Sequence, residues 1–174
     1  SGMTTRGVPE FAVATRGLVY LHIVVRTGGH DLHSGLFGSA ALNATHALMQ
    51  TLSAVQARDG LLPEPLRAGI APPTDEERAA WDELVPGPQM LVDADARPAD
   101  PRAADEFYLR TTAEPSLEVN GIVGGSPLLQ KTVLPVEAEA NVSIRLAPGQ
   151  DVDEIGGALE RLLREAAPEG AELD

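Results

Sequence analysis

The chain has no cysteine, few aromatic residues and half as many basic as acidic side chains, and each shortage excludes something. Without cysteine there are neither disulfides nor thiolate metal sites. That is consistent with a reducing compartment, and a cytoplasmic location is expected. Aromatics make up only 3% of the 174 residues, so the core has to be built from Leu, Val, Ile and Ala, which the 43% hydrophobic content supplies. The formal net charge of -13 argues against a nucleic-acid partner or an anionic membrane surface, because both repel an acidic protein. Long apolar runs are missing too. The longest, Leu18 to Val25, is interrupted by His22 and is far too short to span a bilayer. The N-terminus has no signal-peptide pattern. Ser1-Gly2 ahead of Met3 reads as a cloning remnant on an excised segment.

What is present suits one domain over residues 1–174. Residues 1–16 show no clear periodicity. Gly17 opens a strand to about Thr27, in which Val19, Leu21, Ile23 and Val25 alternate with Tyr20, His22, Val24 and Arg26. The first set is the expected core face. A helix is expected to start between Ser39 and Asn43, with Ala41, Thr45, Leu48, Leu52 and Val55 as its apolar stripe and Arg58-Asp59-Gly60 as its close. Residues 58–115 are rich in proline and read as an insertion, partly irregular. One short helix is expected in it behind the capping-box pattern Thr74-x-x-Glu77, with Phe107, Tyr108 and Leu109 pinning its return.

Leu117 to Val123 predicts a second strand and Lys131 to Leu146 a third, long one. In the third, Ala138, Ala140, Val142, Ile144 and Leu146 alternate with Glu137, Glu139, Asn141, Ser143 and Arg145, the pattern of a half-buried antiparallel strand. Asp151 caps a second helix, with Glu154 completing an acidic capping box and Ile155, Leu159, Leu162 and Leu163 as its stripe. Ala171-Glu172-Leu173 begins a fourth strand that the chain end truncates, leaving a neighbouring edge unpaired. The order predicts a ferredoxin-like α+β fold, one antiparallel sheet with two helices on one face. A fold so widely reused carries no function by itself.

Four histidines are candidates for chemistry. His30-Asp31-Leu32-His33 has metal-ligand residue types close together, but a two-metal hydrolase needs about five N/O ligands and no second cluster appears. His33 stands on a loop flanked by glycines, where its ring is either simply exposed, satisfies backbone groups at the next helix start, or reaches out of its own domain. His22 is expected to pack or hydrogen-bond on the sheet face, and His46 to be a surface residue. Arg145 either pairs with Glu137 or Glu139 on the strand face, or clamps a carboxylate through two parallel hydrogen bonds. Asn120 either leads into a glycine turn or contacts a ligand.

Three segments in order carry a resemblance. They are Asp31-Leu32-His33-Ser34-Gly35-Leu36-Phe37, Pro115-Ser116-Leu117-Glu118-Val119-Asn120-Gly121-Ile122 and Val142-Ser143-Ile144-Arg145-Leu146-Ala147-Pro148-Gly149. Together they resemble the lid, or dimerisation, domain of the M20 family of metal-dependent peptidases and deacylases. The wording around His33 and the long insertion favour its dipeptidase (carnosinase-like) branch.

The resemblance implies a homodimer in which His33 enters the partner subunit's active site and stabilises charge on the scissile carbonyl oxygen. It also implies that Arg145 holds the substrate carboxylate and that Asn120 contacts substrate. The substrate would be a peptide or an N-acyl amino acid. The family's metal ligands and general base have no match here. Two zinc ions are therefore expected in an absent catalytic domain, none in this chain, and the chain alone should hydrolyse nothing. Two other readings remain open: a stand-alone ferredoxin-like module that binds a small ligand or mediates assembly, and a small hydrolase using His30 and His33.

Overall fold

A computed structural model describes residues 15–174; the reading of residues 1–14 lies outside the described residues. In chain order the elements are β1 (Leu18–Arg26), β2 (Leu32–His33), α1 (Ser34–Phe37), α2 (Ala44–Ser53), α3 (Asp75–Asp82), α4 (Gly87–Asp93), β3 (Ser116–Gly124), β4 (Val133–Leu134), β5 (Glu137–Arg145), α5 (Val152–Ala166) and β6 (Glu172–Leu173). A 3-10 turn covers Glu64–Arg67 and a π-helical turn covers Leu109–Ala113.

Alternation fixes the sheet. Ala138, Ala140, Val142, Ile144 and Leu146 are all buried, and the residues between them face the other way. β5 is therefore central, pairing with β1 from Leu18↔Arg145 to Arg26↔Glu137 and with β3 on its other side. β6 adds to the far edge of β1, giving the antiparallel order β3-β5-β1-β6. Both long helices cover the same face. α5 buries Ile155, Leu159 and Leu163, and α2 buries Leu48 and Leu52, against Ile23, Val25 and the apolar row of β5. The opposite face carries Tyr20, His22, Glu139 and Arg145 and is open along this chain.

Several expectations are corrected. The stripe of α2 holds at Leu48, Leu52 and Val55, the last just beyond the helix, which ends at Ser53 and not at 58–60; Ala44, Ala47 and Thr51 join them in burial, while Ala41 and Thr45 are only half-buried. Thr51 joins the core because its hydroxyl donates to the Ala47 carbonyl at 2.9 Å, so no polar group is left unpaired. Asn43 is the cap, accepting from the amides of Thr45 and His46 at 2.9 and 3.2 Å.

The long third strand is two strands. Pro135 has no amide proton to donate, so the ladder stops there, and β4 pairs with β2 instead of with β1. Asp151 caps α5 through the amides of Asp153 and Glu154 at 3.0 Å each, but no return bond from Glu154 closes the box.

Residues 58–115 are more ordered than expected. Besides α3, which has the predicted capping box between Thr74 and Glu77, they contain α4 and two tight turns, with Pro65 and Pro88 near helix starts where a missing amide does no harm. Leu62 and Leu66 from this stretch are buried in the main core. Of the three residues expected to pin its return, Phe107 and Tyr108 meet edge to face at 5.2 Å, and Tyr108 alone is seen bonded to a distant point of the stretch. The Tyr108 hydroxyl donates to the Val85 carbonyl at 2.6 Å. Arg110 binds Asp100 and Glu106 beside it.

Candidate functional site

His33 is presented by a small, separate ladder. β2 pairs Leu32 with Leu134 and His33 with Val133, the Ser34 amide donates to the Thr132 carbonyl at 2.8 Å, and Asp31 accepts from the Val136 amide at 3.2 Å. The ring itself caps the short helix α1: its Nδ1 accepts from the Gly35 amide at 3.0 Å. In a neutral imidazole that acceptor role puts the proton on Nε2, which becomes a hydrogen-bond donor. The residue is exposed, and among the described residues Nε2 makes no hydrogen bond. A Cβ at position 35 would stand 2.9 Å from Cε1 and 3.1 Å from Nδ1 of His33, so glycine leaves the ring room to accept from the Gly35 amide. Leu36, Phe37, Leu128 and Leu129 are exposed apolar side chains on the same two loops. The ladder also brings Val133 opposite His33 and Thr132 against Ser34, a neighbourhood that sequence spacing did not reveal.

Arg145 is at the other end of β5. It is exposed, and the two carboxylates of its own strand on that face are occupied elsewhere. Glu137 takes Arg26 at 2.8 Å, and Glu139 lies 3.3 Å from His22. Among the described residues no carboxylate pairs with the Arg145 guanidinium. Its closest cationic neighbour is Arg16, which the sequence reading passed over. Arg16 donates to the carbonyls of Leu146, Thr111, Glu114 and Arg145. Burial lowers the pKa of Arg16 from its ordinary value, and the charge of Arg145 lowers it further.

Asn120 is exposed on β3 at the β-bulge between Val119 and Gly121, where the register with β5 slips. Ser116, not Asn120, is the residue across from Arg145. Four residues of strand separate them, about 13 Å. His22 hydrogen-bonds Asn141 through Nδ1 at 2.9 Å, the role expected of it on that face.

Neither pair of expected site residues meets within one copy. His33 lies just before the Glu137 end of β5 and Arg145 closes the opposite end, so the strand ends that carry them are about 26 Å apart. Among the described residues no group of three or more His, Asp or Glu side chains is placed to hold a metal ion. The side chains present therefore do not fit a metal pair. No helix among them is long and apolar enough to cross a membrane.

Comparison with known proteins places this geometry. The chain is 26% identical over 156 residues to Cys-Gly metallodipeptidase DUG1 of Saccharomyces cerevisiae, covering 88% of this chain and 32% of that one. It is 28% identical over 151 residues to the Beta-Ala-His dipeptidase of Rattus norvegicus, covering 80% and 29%. The chain thus spans about a third of the length of the curated relatives it matches. The fold matches an M20 family metallo-carboxypeptidase, Sso-CP2 from Sulfolobus solfataricus, with a TM-score of 0.83 at 21% identity over 99% of this chain and 46% of the other. The family model described as the peptidase dimerisation domain matches residues 13–171. The chain belongs to that family, the dimerisation domain of the M20 metallopeptidases.

Proposed function

We propose that this chain is the lid and dimerisation domain of a dipeptidase-like M20 enzyme, inactive alone, that lends a histidine to the partner subunit's active site. We read the arrangement as ferredoxin-like, with residues 58–115 as an insertion after α2. The two zinc ions of such an enzyme, and the base that works beside them, are assigned to a catalytic domain that this chain does not contain. The substrate is a peptide, with an N-acyl amino acid as the alternative.

The role of His33 follows from its ring. Peptide cleavage puts negative charge on the scissile carbonyl oxygen, and a donor already aimed at that oxygen in a water-poor site is worth about 3 to 4 kcal/mol. The observation that carries the reading is the Gly35 amide held at 3.0 Å by Nδ1, which leaves Nε2–H as the free donor. Arg145 suits the substrate's C-terminal carboxylate because its guanidinium is unpaired and can bind both oxygens at once. Asn120 is a weaker proposal, an exposed amide on the same sheet that would contact the substrate backbone.

A dipeptide spans at most about 7 Å. It cannot touch both strand ends of one copy. One complete site therefore takes Arg145 from one copy and His33 from the other, in a homodimer. The alternative of a free-standing carboxylate-binding module uses Arg145 but gives the His33 ladder no task.

Mixing tests the reading. Copies carrying His33→Ala and copies carrying Arg145→Gln, each with little activity in the full-length enzyme on a free-carboxylate dipeptide held well below its KM, are unfolded and refolded together. Random pairing puts both kinds in about half of the dimers, and each mixed dimer keeps one intact site of two, so about a quarter of the unmodified turnover should return. Mixed dimers that form and show no recovery would place both residues in one copy's site or in none.

A further inference from the structure

The end of β5 holds a second cation, and its bonding is unusual. Among the described residues Arg16 directs its guanidinium at four neutral acceptors and no carboxylate: Leu146 O at 3.0 Å, Thr111 O at 2.8 Å, Arg145 O at 3.3 Å, and Glu114 O. The one nearby carboxylate that would neutralise it, on Glu114, is taken by Arg67 through two bonds of 3.2 Å each. Arg16 is half-buried, so its charge is neither fully solvated nor paired. The carbonyl dipoles steady that charge without cancelling it, so its field remains open to an anion nearby. Holding these carbonyls needs only donors. A positive charge beside Arg145 makes the same point more attractive to an anion, and a bound carboxylate would relieve the repulsion between the two guanidiniums.

The backbone role is equally specific. Thr111 and Glu114 belong to the return of residues 58–115, at and just past the π-helical turn, and their carbonyls are the ones a helix end leaves exposed. Arg145 and Leu146 are where β5 ends. One side chain thus ties the insertion to the strand terminus from which Arg145 projects. We propose that Arg16 is the positioning residue of the carboxylate site: it fixes the backbone beneath Arg145 against residues 111–114 and supplies a second positive charge to the bound carboxylate. The inference rests on the reading of Arg145 given above.

The test compares a dipeptide bearing a free C-terminal carboxylate with the same dipeptide amidated, in the full-length enzyme. Arg145→Gln comes first. If it raises KM equally for both substrates, or for neither, the carboxylate reading of Arg145 fails and this inference fails with it. If KM rises only for the free carboxylate, Arg16 is examined alone. Arg16→Gln should raise KM for the free carboxylate about tenfold, with kcat within about twofold and the amide unaffected. Arg16→Lys keeps the charge but loses the fork, and should fall between. Combined with Arg145→Gln, Arg16→Gln should raise KM by clearly less than its own tenfold, because most of its effect passes through that residue. Equal loss on both substrates, or a full additive effect in the double variant, would reduce Arg16 to a fold-stabilising residue and overturn the proposal. Should Arg16→Gln not fold, Arg16→Lys carries the same comparison.

Discussion

A single methyl group tests whether the geometry of His33 matters to catalysis. In Gly35→Ala the new Cβ would lie 2.9 Å from Cε1 and 3.1 Å from Nδ1 of His33. Carbon atoms in good contact sit about 3.5 to 4.0 Å apart, so the ring must retreat by at least about half an ångström. The 3.0 Å bond from the Gly35 amide is lost or bent in the process, and with it the preference for a proton on Nε2. The effect on folding is small. The loop is exposed, and one hydrogen bond contributes about 1 kcal/mol, a few degrees in Tm for a domain of this size.

The effect on turnover is not small. Displacing a reacting or stabilising group by about 1 Å can cost about a hundredfold, and removing an oxyanion donor outright costs about a hundred- to a thousandfold. His33→Ala in the full-length enzyme should therefore lower kcat at least about a hundredfold, and Gly35→Ala by about ten- to a hundredfold, with the dimer intact by light scattering. Steady-state kinetics and a melting curve on each variant are enough. A kcat within twofold of the unmodified enzyme for Gly35→Ala would refute the argument that the cap orients the ring. Unchanged turnover in His33→Ala would remove His33 from the mechanism altogether.

Two further predictions concern stability. Leu159 is fully buried between α5 and the sheet, so Leu159→Ala should destabilise the domain by about 2 to 5 kcal/mol, read as a lower urea midpoint at unchanged slope. The second concerns Asp100, whose carboxyl is held below the usual carboxylate range chiefly by hydrogen bonds from Arg110, then by the Arg102 amide. A depressed folded value means the stabilisation is complete above the unfolded pKa of about 4 and is lost as pH falls through the folded value. Hydrogen exchange in residues 96–110 should accelerate below about pH 4 beyond the intrinsic rate, and Arg110→Gln should make the segment equally fast at neutral pH. A segment that stays protected in that variant would show that Phe107 and Tyr108 hold it without the ion pairs.

Sheet and helix faces were legible where one side of an element is wholly apolar. β5 states its buried face residue by residue, α5 does so at Ile155, Leu159 and Leu163 but not at Leu162 or Ala158, and the Thr74–Glu77 box forms in both directions as its spacing requires. α2 misled because its packing uses small residues: Ala44 and Ala47 are silent in a search for large apolar side chains, and Thr51 looks polar until its hydroxyl is turned back on its own helix. Pro135 was readable as a strand break, but alternation continuing on both sides of it outweighed the missing donor. Residues 58–115 read as irregular because proline was taken only as a breaker, whereas Pro65 and Pro88 stand where helices begin. Arg16 left no trace. Its four acceptors are backbone carbonyls 95 to 130 positions away, and a carbonyl carries no residue identity for a pattern to find.

The register of β5 is what connects core stability to the proposed site. Slipping the strand by one residue would turn Val142 and Ile144 to the open face and drive Glu139 and Arg145 into the core. Burying either charge without a partner costs several kcal/mol, and exposing the two aliphatic side chains forfeits about 1.5 to 3 kcal/mol each. The same alternation that builds the hydrophobic layer therefore forces Arg145 outward at one end of the sheet. At the other end, Thr27 donates to the Val136 carbonyl, and Leu32 and His33 pair with the two residues just before Pro135. The His33 ladder is thus tied to the start of β5 as firmly as Arg145 is to its end. The spacing between the two groups is set by nine residues of central strand, which is the most rigid ruler this fold contains. A loop-mounted pair could drift together within one copy; in the proposed site, a pair held at opposite ends of a central strand would serve one small substrate from two copies.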